Sequence, residues 1–282
     1  MPDIADLSAL INRQTGGNSG NPENIWFHKV PRVSGAAATA LIAGRAASLW
    51  TYDGVPAGGA TPTSAAIPDK TTTGAIPFTA ATGGRDKWLI QTAFSSLIAG
   101  QWILYDRLFH IGGLSGISTS AQTVQGSTPS PALTRNTGGD GNIAFYEIYS
   151  AIGTTARTLT MTYTNQAGTG SRTSTINIGA TGFREVTRAQ RIPLAAGDTG
   201  IRAIESVQLD NSTGSVGNFG ITIAKPLAFV PVGSAGAGGW RDYSTGLPGI
   251  PAIAPDACLS LLFVPSTTTA PEVWGCLATV ED

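Results

Sequence analysis

Residues 157–165 read RTLTMTYTN, and this stretch decides the fold. Leu159, Met161 and Tyr163 alternate strictly with threonines, so one face of the segment is apolar and the other carries hydroxyls. A period of two is typical of an antiparallel strand with one buried face. We expect STINIGA, residues 174–180, to return beside it after the polar turn QAGTGSR.

Further strand signals continue on both sides of this stretch. KWLIQTAF and GQWILYDRLFHIGG form an expected hairpin with its turn near Ala99–Gly100, and later runs are IRAIESVQLD, NFGITIA, PLAFVPV, ACLSLLFV and VWGCLATV. Because the chain has no second long helix to connect parallel strands, the sequence predicts an all-β fold. We expect an antiparallel β-sandwich with jelly-roll-like connectivity over residues 85–282. Residues 1–84 are expected to form a short N-terminal helix and long extended arms.

One predicted strand is apolar on both of its faces. Its alternating positions are Trp102, Leu104 and Leu108 on one side and Ile103, Tyr105, Phe109 and Ile111 on the other. Such a strand lies in the middle of a sandwich, which we favour, or is half-exposed to a partner.

The N-terminal region supplies the candidate partner-binding residues. A helix is predicted over residues 3–14, because four apolar side chains share a face and Gly16–Gly17 follow. Residues 54–84 are rich in glycine, proline and threonine, and we expect them to be mobile unless a neighbour or the chain's own surface holds them. The candidate contacts are the helix positions Ile4, Leu7, Leu10 and Ile11 and the aromatic anchor Trp26–Phe27.

The two cysteines, Cys258 and Cys276, lie in the last two apolar runs. If these runs form a hairpin that turns at Thr267, the cysteines face each other and a cross-strand disulfide is one outcome. Two buried free thiols, made in a reducing cell, are the outcome we favour. A zinc site requires about four ligands, so two cysteines without a neighbouring histidine do not predict one.

Composition narrows the classes of function. Of the 282 residues only 12% are charged, and the net charge is −1. No cluster of basic residues offers a surface for phosphates, so we expect no direct nucleic-acid binding. No apolar run reaches the roughly 18 residues of a membrane span, and the first residues lack a signal-peptide core, so we expect synthesis in the cytoplasm and no membrane partner. Low charge suits a protein that covers much of its surface with partners.

The segment FHIGGLSGIST, residues 109–119, is the nearest approach to a catalytic motif. A nucleophile elbow requires a glycine two residues after Ser115, where the chain has Ile117. Within one extended strand Asp106 would lie about 13 Å from His110, too far to orient it. We therefore interpret the segment as a strand that ends in a glycine turn, and we expect His110 to have a structural or interface role.

Other chemical signals are weak. The chain has only two histidines, residues 136–142 (NTGGDGN) lack the acids of a calcium loop, and acidic pairs such as Asp140 and Glu147 are expected by chance. The six tryptophans are scattered, which favours core packing for most of them over a sugar site. The sequence thus predicts no catalytic residue, no cofactor and no metal.

Three segments carry a resemblance to a known class of protein. They are WILYDRLFHIGGLSGISTSAQTV, PALTRNTGGDGNIAFYEIYSAIGTTARTLTMTYTNQAGTGSRTSTINIG and EVWGCLATVED. They resemble segments of tailed-bacteriophage virion structural proteins encoded among head genes, and the similarity spans about residues 85–280. The similarity is one of general sequence pattern and includes no site motif, so it carries over no functional residue.

The resemblance implies a head decoration, or cement, protein. Such a protein binds the outer surface of the assembled capsid and clamps neighbouring subunits of the major capsid protein. It implies a virion location and favours a homo-oligomer, first a trimer and second a dimer. The alternative is a receptor- or glycan-binding protein of the tail or fibre, to which the length of the chain and its N-terminal arm also correspond.

Overall fold

The computed structural model describes residue 4 and residues 6–33, 40–123, 131–244 and 249–282. Its strands are paired antiparallel and form three sheets. The first sheet contains β1 (Glu23–Val33), β3 (Tyr52–Val55), β4 (Lys87–Ser96), β13 (Gly238–Asp242), β14 (Ala252–Ile253) and β16 (Val273–Glu281). Its spatial order is β13-β4-β16-β1-β3, with β14 beside β4.

The other two sheets share the remaining strands. The central sheet has β2 (Ala47–Ser48), β5 (Gly100–Leu114), β7 (Ile143–Ser150), β10 (Ala189–Ile192), β12 (Asn218–Val232) and β15 (Leu259–Pro265), in the order β10-β7-β12-β5-β15-β2. The third sheet has β6 (Gln122–Thr123), β8 (Arg157–Asn165), β9 (Arg172–Ile178) and β11 (Ile201–Leu209), in the order β6-β11-β8-β9. The predicted all-β antiparallel sandwich is confirmed, whereas jelly-roll-like connectivity stays a prediction.

The alternating stretch behaves as expected. Leu159, Met161 and Tyr163 of β8 are buried, while the threonines between them are half-buried. β9 returns beside β8 through the predicted turn. The apolar face of β8 therefore packs into one of the two main hydrophobic cores of the protein.

The first and third sheets pack side by side on one face of the central sheet, each around its own core. In β5, Arg107 pairs with Ala224 and Phe109 with Ile223, so Leu108 is an extra residue, a β-bulge. A bulge shifts the alternation by one residue, so Trp102 before it and Phe109 after it point to the same face. The predicted division of the strand into two alternating sets is therefore wrong beyond Leu108, although its central position is confirmed.

Two expected hairpins, β4–β5 and β15–β16, are wrong because the two strands of each pair lie in different sheets. β4 and β5 are joined by a short connection, yet β4 pairs with β16 and β13 in the first sheet while β5 lies in the central sheet. β15 pairs with β5 and β2, and β16 pairs with β1 and β4. In each case the connection carries the chain across the core to the opposite sheet. Cys258 and Cys276 consequently do not face each other, and both thiols are free.

The segment 54–84 packs on the chain's own surface. Ala66 exchanges backbone hydrogen bonds with His110, and the Ile76 N–H donates to Leu259 at 2.9 Å. The Trp50 indole N–H donates to the carbonyl of Ala60 at 3.0 Å. These contacts give the segment the burial that its composition does not suggest. The expected division at residue 84 stays a prediction, although β1 and β3 complete the first sheet from the N-terminal side.

The N-terminal helix is shorter than predicted. α1 spans Leu7–Gln14, and Asp6 caps it by accepting a hydrogen bond from the Ala9 N–H at 2.8 Å. Leu10 packs against Ile90 and Val280 of the first sheet, so the helix docks on its own chain. Within the described ranges, no helix is long and apolar enough to cross a membrane.

Candidate binding surface

The serine and histidine of residues 109–119 do not form a catalytic pair. The Arg107 Nε–H donates to His110 Nδ1 at 2.8 Å, and the Trp50 ring packs edge-on against the imidazole. Burial, and then the charge of Arg107, lower the pKa of His110 to about 3. The Ser115 hydroxyl instead accepts from the backbone N–H of Ile117 at 3.3 Å. His110 is therefore a neutral structural residue of the central sheet.

The groups around His110 form a closed polar network on the second face of the central sheet. Arg107 donates to Glu147 through its two terminal nitrogens, Nη1 and Nη2, and both side chains are fully buried. Tyr149 and Thr222 donate to Glu147 Oε2 at 2.7 and 2.5 Å. Burial alone would raise the pKa of Glu147, but the charge and hydrogen bonds of Arg107 lower it to about 2. Because the members of the network bind one another, we assign it to stability rather than to chemistry.

A second set of acids and cations is also structural. Arg135 forms a bidentate pair with Asp106, at 2.9 and 3.0 Å, and donates to the carbonyl of Pro68. This ties the segment 54–84 to β5. Among the described residues, no group of three or more His, Cys, Asp or Glu side chains is placed to hold a metal ion.

The most unusual exposed feature is a set of tryptophans on the outer face of the first sheet. Trp26 is 73% exposed, Trp240 69% and Trp274 40%. Tryptophan is mostly buried in folded chains, so an exposed group of three on ordered strands calls for an explanation.

The strand register places these side chains on one face. Trp26 of β1 pairs with Cys276 of β16, Cys276 with Ala93 of β4, and Ala93 with Trp240 of β13. Directly paired residues of antiparallel strands point to the same side. Three strand spacings of about 4.8 Å separate the backbones of Trp26 and Trp240 by about 14 Å.

A second row lies beside the first. Val55, His28, Trp274, Ser95 and Gly238 are paired in that order across five strands. The His28 and Trp274 rings are stacked, with centroids 4.9 Å apart and an interplanar angle of 11°. We call Trp26, His28, Val55, Trp240 and Trp274 the tryptophan face. The residues between or beside them, Cys276, Ala93, Ser95 and Gly238, are small and uncharged, and the acid at the edge of the face is Glu272, 3.3 Å from His28 Nε2.

The opposite side of the same strands fixes this face in place. Phe27, Phe94 and Leu277 point into the first core, where the Phe27 and Phe94 rings lie 5.6 Å apart. Gly275 of β16 is covered by the Phe27 ring, because a Cβ atom at that position would lie 1.9 Å from Phe27 Cζ. The tryptophan face is thus carried by a well-packed sheet rather than by loops.

The six candidate contacts predicted from the sequence separate into two groups. Leu10 and Phe27 are buried inside the chain, and Ile4 is half-buried against the cluster around Leu10. Leu7, Ile11 and Trp26 are exposed, at 57%, 50% and 73%. Of these, Trp26 belongs to the tryptophan face, and the two helix residues form a separate apolar pair.

Sequence reasoning missed Trp240 and Trp274. In VWGCLATV the buried residues alternate with Trp274, Cys276 and Ala278, so the period of two carried a signal for Trp274. Trp240 lies in a glycine-rich run, and only its pairing with Ala93 of a distant strand places it on this face.

Comparison of the chain with protein-family models, curated proteins and solved structures gives no match. The function is therefore argued from the surface itself.

Proposed function

We propose that this protein is a non-catalytic structural component of a bacteriophage particle, a decoration protein that docks on neighbouring capsid subunits through the tryptophan face. The observation that carries the proposal is the alignment of three exposed tryptophans on one ordered sheet. Tryptophan is enriched among the residues that dominate the energy of protein interfaces, and interface centres are depleted of charge.

The size of the face favours docking on an assembled shell. The three side chains together expose on the order of 400 Å² of surface, whose burial contributes about 10 kcal/mol. Association of two free proteins costs about 4–15 kcal/mol, so this gain leaves little net affinity for one free subunit. A shell holds neighbouring subunits in fixed positions, so a face divided between two of them is fully buried on the shell but only partly buried by one free subunit. Binding that is stronger to the assembled shell than to free subunits stabilises the shell.

The chemistry of the face favours a protein partner over a sugar. Val55 is 63% exposed at one end of the second row, and Ala93 and Cys276 lie between the tryptophans. Aliphatic and thiol groups pack well against another protein but give a sugar no hydrogen bonds.

A glycan-binding role in the tail or fibre is the second candidate, and one observation favours it. The row next to the tryptophans carries three polar residues, in the order Asn24, Ala278, Gln91 and Asp242 across the sheet. With Ser244 these residues border a cavity of about 340 Å³. Aromatic rings beside amide and carboxylate groups are a combination that sugars bind.

The deciding experiment adds purified protein to undecorated heads assembled from the major capsid protein of the same phage. We expect saturable binding and a higher melting temperature of the heads. Trp26→Ala and Trp240→Ala should each weaken binding about 30-fold or more, the loss typical of an interface hot spot. Val216→Ala removes an exposed apolar side chain outside the face and is the matched control. Heads that neither bind the protein nor melt at a higher temperature overturn the proposal.

Cys276 offers an independent footprint, because it lies between Trp26 and Ala93 in the first row. In the free protein a maleimide should label Cys276, and in the docked protein the labelling should be at least ten-fold slower. A rate unchanged by docking would show that another surface makes the contact. Binding to a glycan array that Trp240→Ala abolishes, together with a few dozen copies or fewer per particle, would favour the second candidate.

A further inference from the structure

The second face of the central sheet carries an apolar groove that the tryptophan face does not include. Its volume is about 750 Å³, which is within the range of binding clefts. Ile103, Phe145 and Leu262 form its floor, and Phe229, 51% exposed, stands at its side.

The groove has a positive rim. Arg191 of β10 lines it on one side, and its described lining residues include no aspartate or glutamate. Arg241 of β13 lies on the other side, 5.9 Å from the centre of the Tyr243 ring. An occupant that places a carboxylate near this rim and apolar side chains on the floor would be complementary in both charge and polarity.

The strand beside the groove disfavours an extended occupant. Beyond Ala224, β12 no longer pairs with β7, so its outer edge borders the groove. Pro226 lies in this part of β12, lines the groove and lacks the N–H that an added strand would require. A helix needs no edge hydrogen bonds, and an apolar stripe on a helix is a common way to fill such a groove.

The chain itself carries an element of that description. Leu7 and Ile11 of α1 are exposed and lie one turn apart on the side of the helix that its own sheet does not cover. Asp6 is exposed at the start of the same helix. The helix is about 12 Å long, close to the span of the strands that form the floor.

We propose that α1 of one copy docks in the apolar groove of a second copy, with Leu7 and Ile11 on the floor and Asp6 near Arg191 at the rim. Helix and groove are different patches of the surface, so the contact is heterologous. Every helix and every groove is occupied either in a dimer, where two copies exchange helices, or in a closed ring. The ring is expected first, as a trimer. This proposal does not depend on the tryptophan face.

The test is the mass of the protein in solution, measured by sedimentation and light scattering. The wild type should form a discrete oligomer. Leu7→Glu, which places an acid in the first turn where the helix tolerates it, and Phe229→Glu in the groove should each weaken self-association about 10- to 100-fold. Val216→Glu introduces the same charge at an exposed apolar position elsewhere and should leave the mass unchanged. Circular dichroism spectra that match the wild type establish that the variants fold.

Mixing separates this contact from any other. Leu7→Glu keeps an intact groove and Phe229→Glu keeps an intact helix, so an equimolar mixture should form a one-to-one pair that neither variant forms alone. Asp6→Asn retains the helix cap and should weaken the oligomer a few-fold, with a reduced dependence on salt. A monomeric wild type, variants that keep the wild-type mass, or a mixture that stays monomeric overturns the proposal, whatever the outcome with capsids.

Discussion

The Arg107 guanidinium and the Glu147 carboxylate form a buried bidentate ion pair across β12, the strand that separates them. On this face β12 carries small side chains: Gly220 pairs with Glu147, Ala224 pairs with Arg107, and Thr222 between them donates its hydroxyl to the carboxylate. The pair therefore links three neighbouring strands of the central sheet, β5, β12 and β7, on the face opposite the two main cores.

Removing one partner of this pair should be strongly destabilising. Glu147→Gln leaves the Arg107 charge buried without a counter-charge, and we expect a loss of about 3–5 kcal/mol in the free energy of unfolding. Arg32→Gln removes the cation of the more exposed Arg32–Asp53 pair and should cost about 1 kcal/mol or less. Urea denaturation of both variants measures the difference. Equal losses would contradict the assignment of the network to stability.

Acid should destabilise the protein through His110. The pKa of His110 is about 3 in the folded chain, against 6.5 for an unperturbed histidine, because of burial and Arg107. Between these values the unfolded chain binds a proton that the folded chain does not, so stability falls as the pH falls from 6.5 towards 3, by up to about 1.4 kcal/mol per unit. Glu147, with a folded pKa of about 2, adds a loss in the same direction below about 4.5.

The variant His110→Asn isolates the histidine contribution. An asparagine oxygen can accept from Arg107 but does not titrate, so the slope of stability between pH 6.5 and 4.5 should flatten. Thermal melts across this range provide the measurement. A slope identical to that of the wild type would contradict the assignment.

The two cysteines should differ in reactivity. Cys258 is fully buried, and burial raises the pKa of its thiol to about 12, whereas Cys276 is half-buried on the tryptophan face. Iodoacetamide should modify Cys276 in the folded protein and Cys258 only after unfolding. Mass spectrometry of the alkylated peptides distinguishes the sites, and a reducing agent should leave the melting temperature unchanged. Recovery of a disulfide-linked peptide would contradict the pairing of β15 and β16 with different sheets.

The packing of Phe27 over Gly275 gives a prediction for the first sheet. Gly275→Ala would place a methyl group against the Phe27 ring, and we expect a loss of about 1–3 kcal/mol in the free energy of unfolding. Gly238→Ala in β13 is the control, since its nearest contact would be the Phe94 carbonyl oxygen at 3.8 Å. If both variants are as stable as the wild type, the sheet is less tightly packed than we describe.

Ser115→Ala should change stability by less than about 0.5 kcal/mol and leave docking on heads unchanged, because Ser115 has no contact with His110. A large loss of binding from this single change would reopen the question of chemistry at residues 109–119.

Local patterns in the sequence predicted much of the fold. The alternation in β8 and the turn to β9 follow from neighbouring residues, and so does the two-sided burial of β5. The membership of each strand in a sheet is a long-range property. Connections such as residues 97–99 read like hairpin turns, yet they cross the core, and the bulge at Leu108 has no signature of its own. Trp26 could be named as a candidate contact from its local sequence. Its alignment with Trp240 could not, because that alignment depends on the register of four strands.

The position of β16 in the first sheet has a consequence for the order of events during synthesis. This strand, Val273–Glu281, leaves the ribosome after every other described strand, yet it lies between β1 and β4. At about 5–20 residues per second, β1 waits roughly 10–50 s for its neighbour. Until then β1, which carries Trp26, and β4, which pairs with the strand of Trp240, have no strand between them to set their relative register. A nascent chain therefore presents no complete tryptophan face, and under the proposed function it does not attach to a shell until β16 has been made.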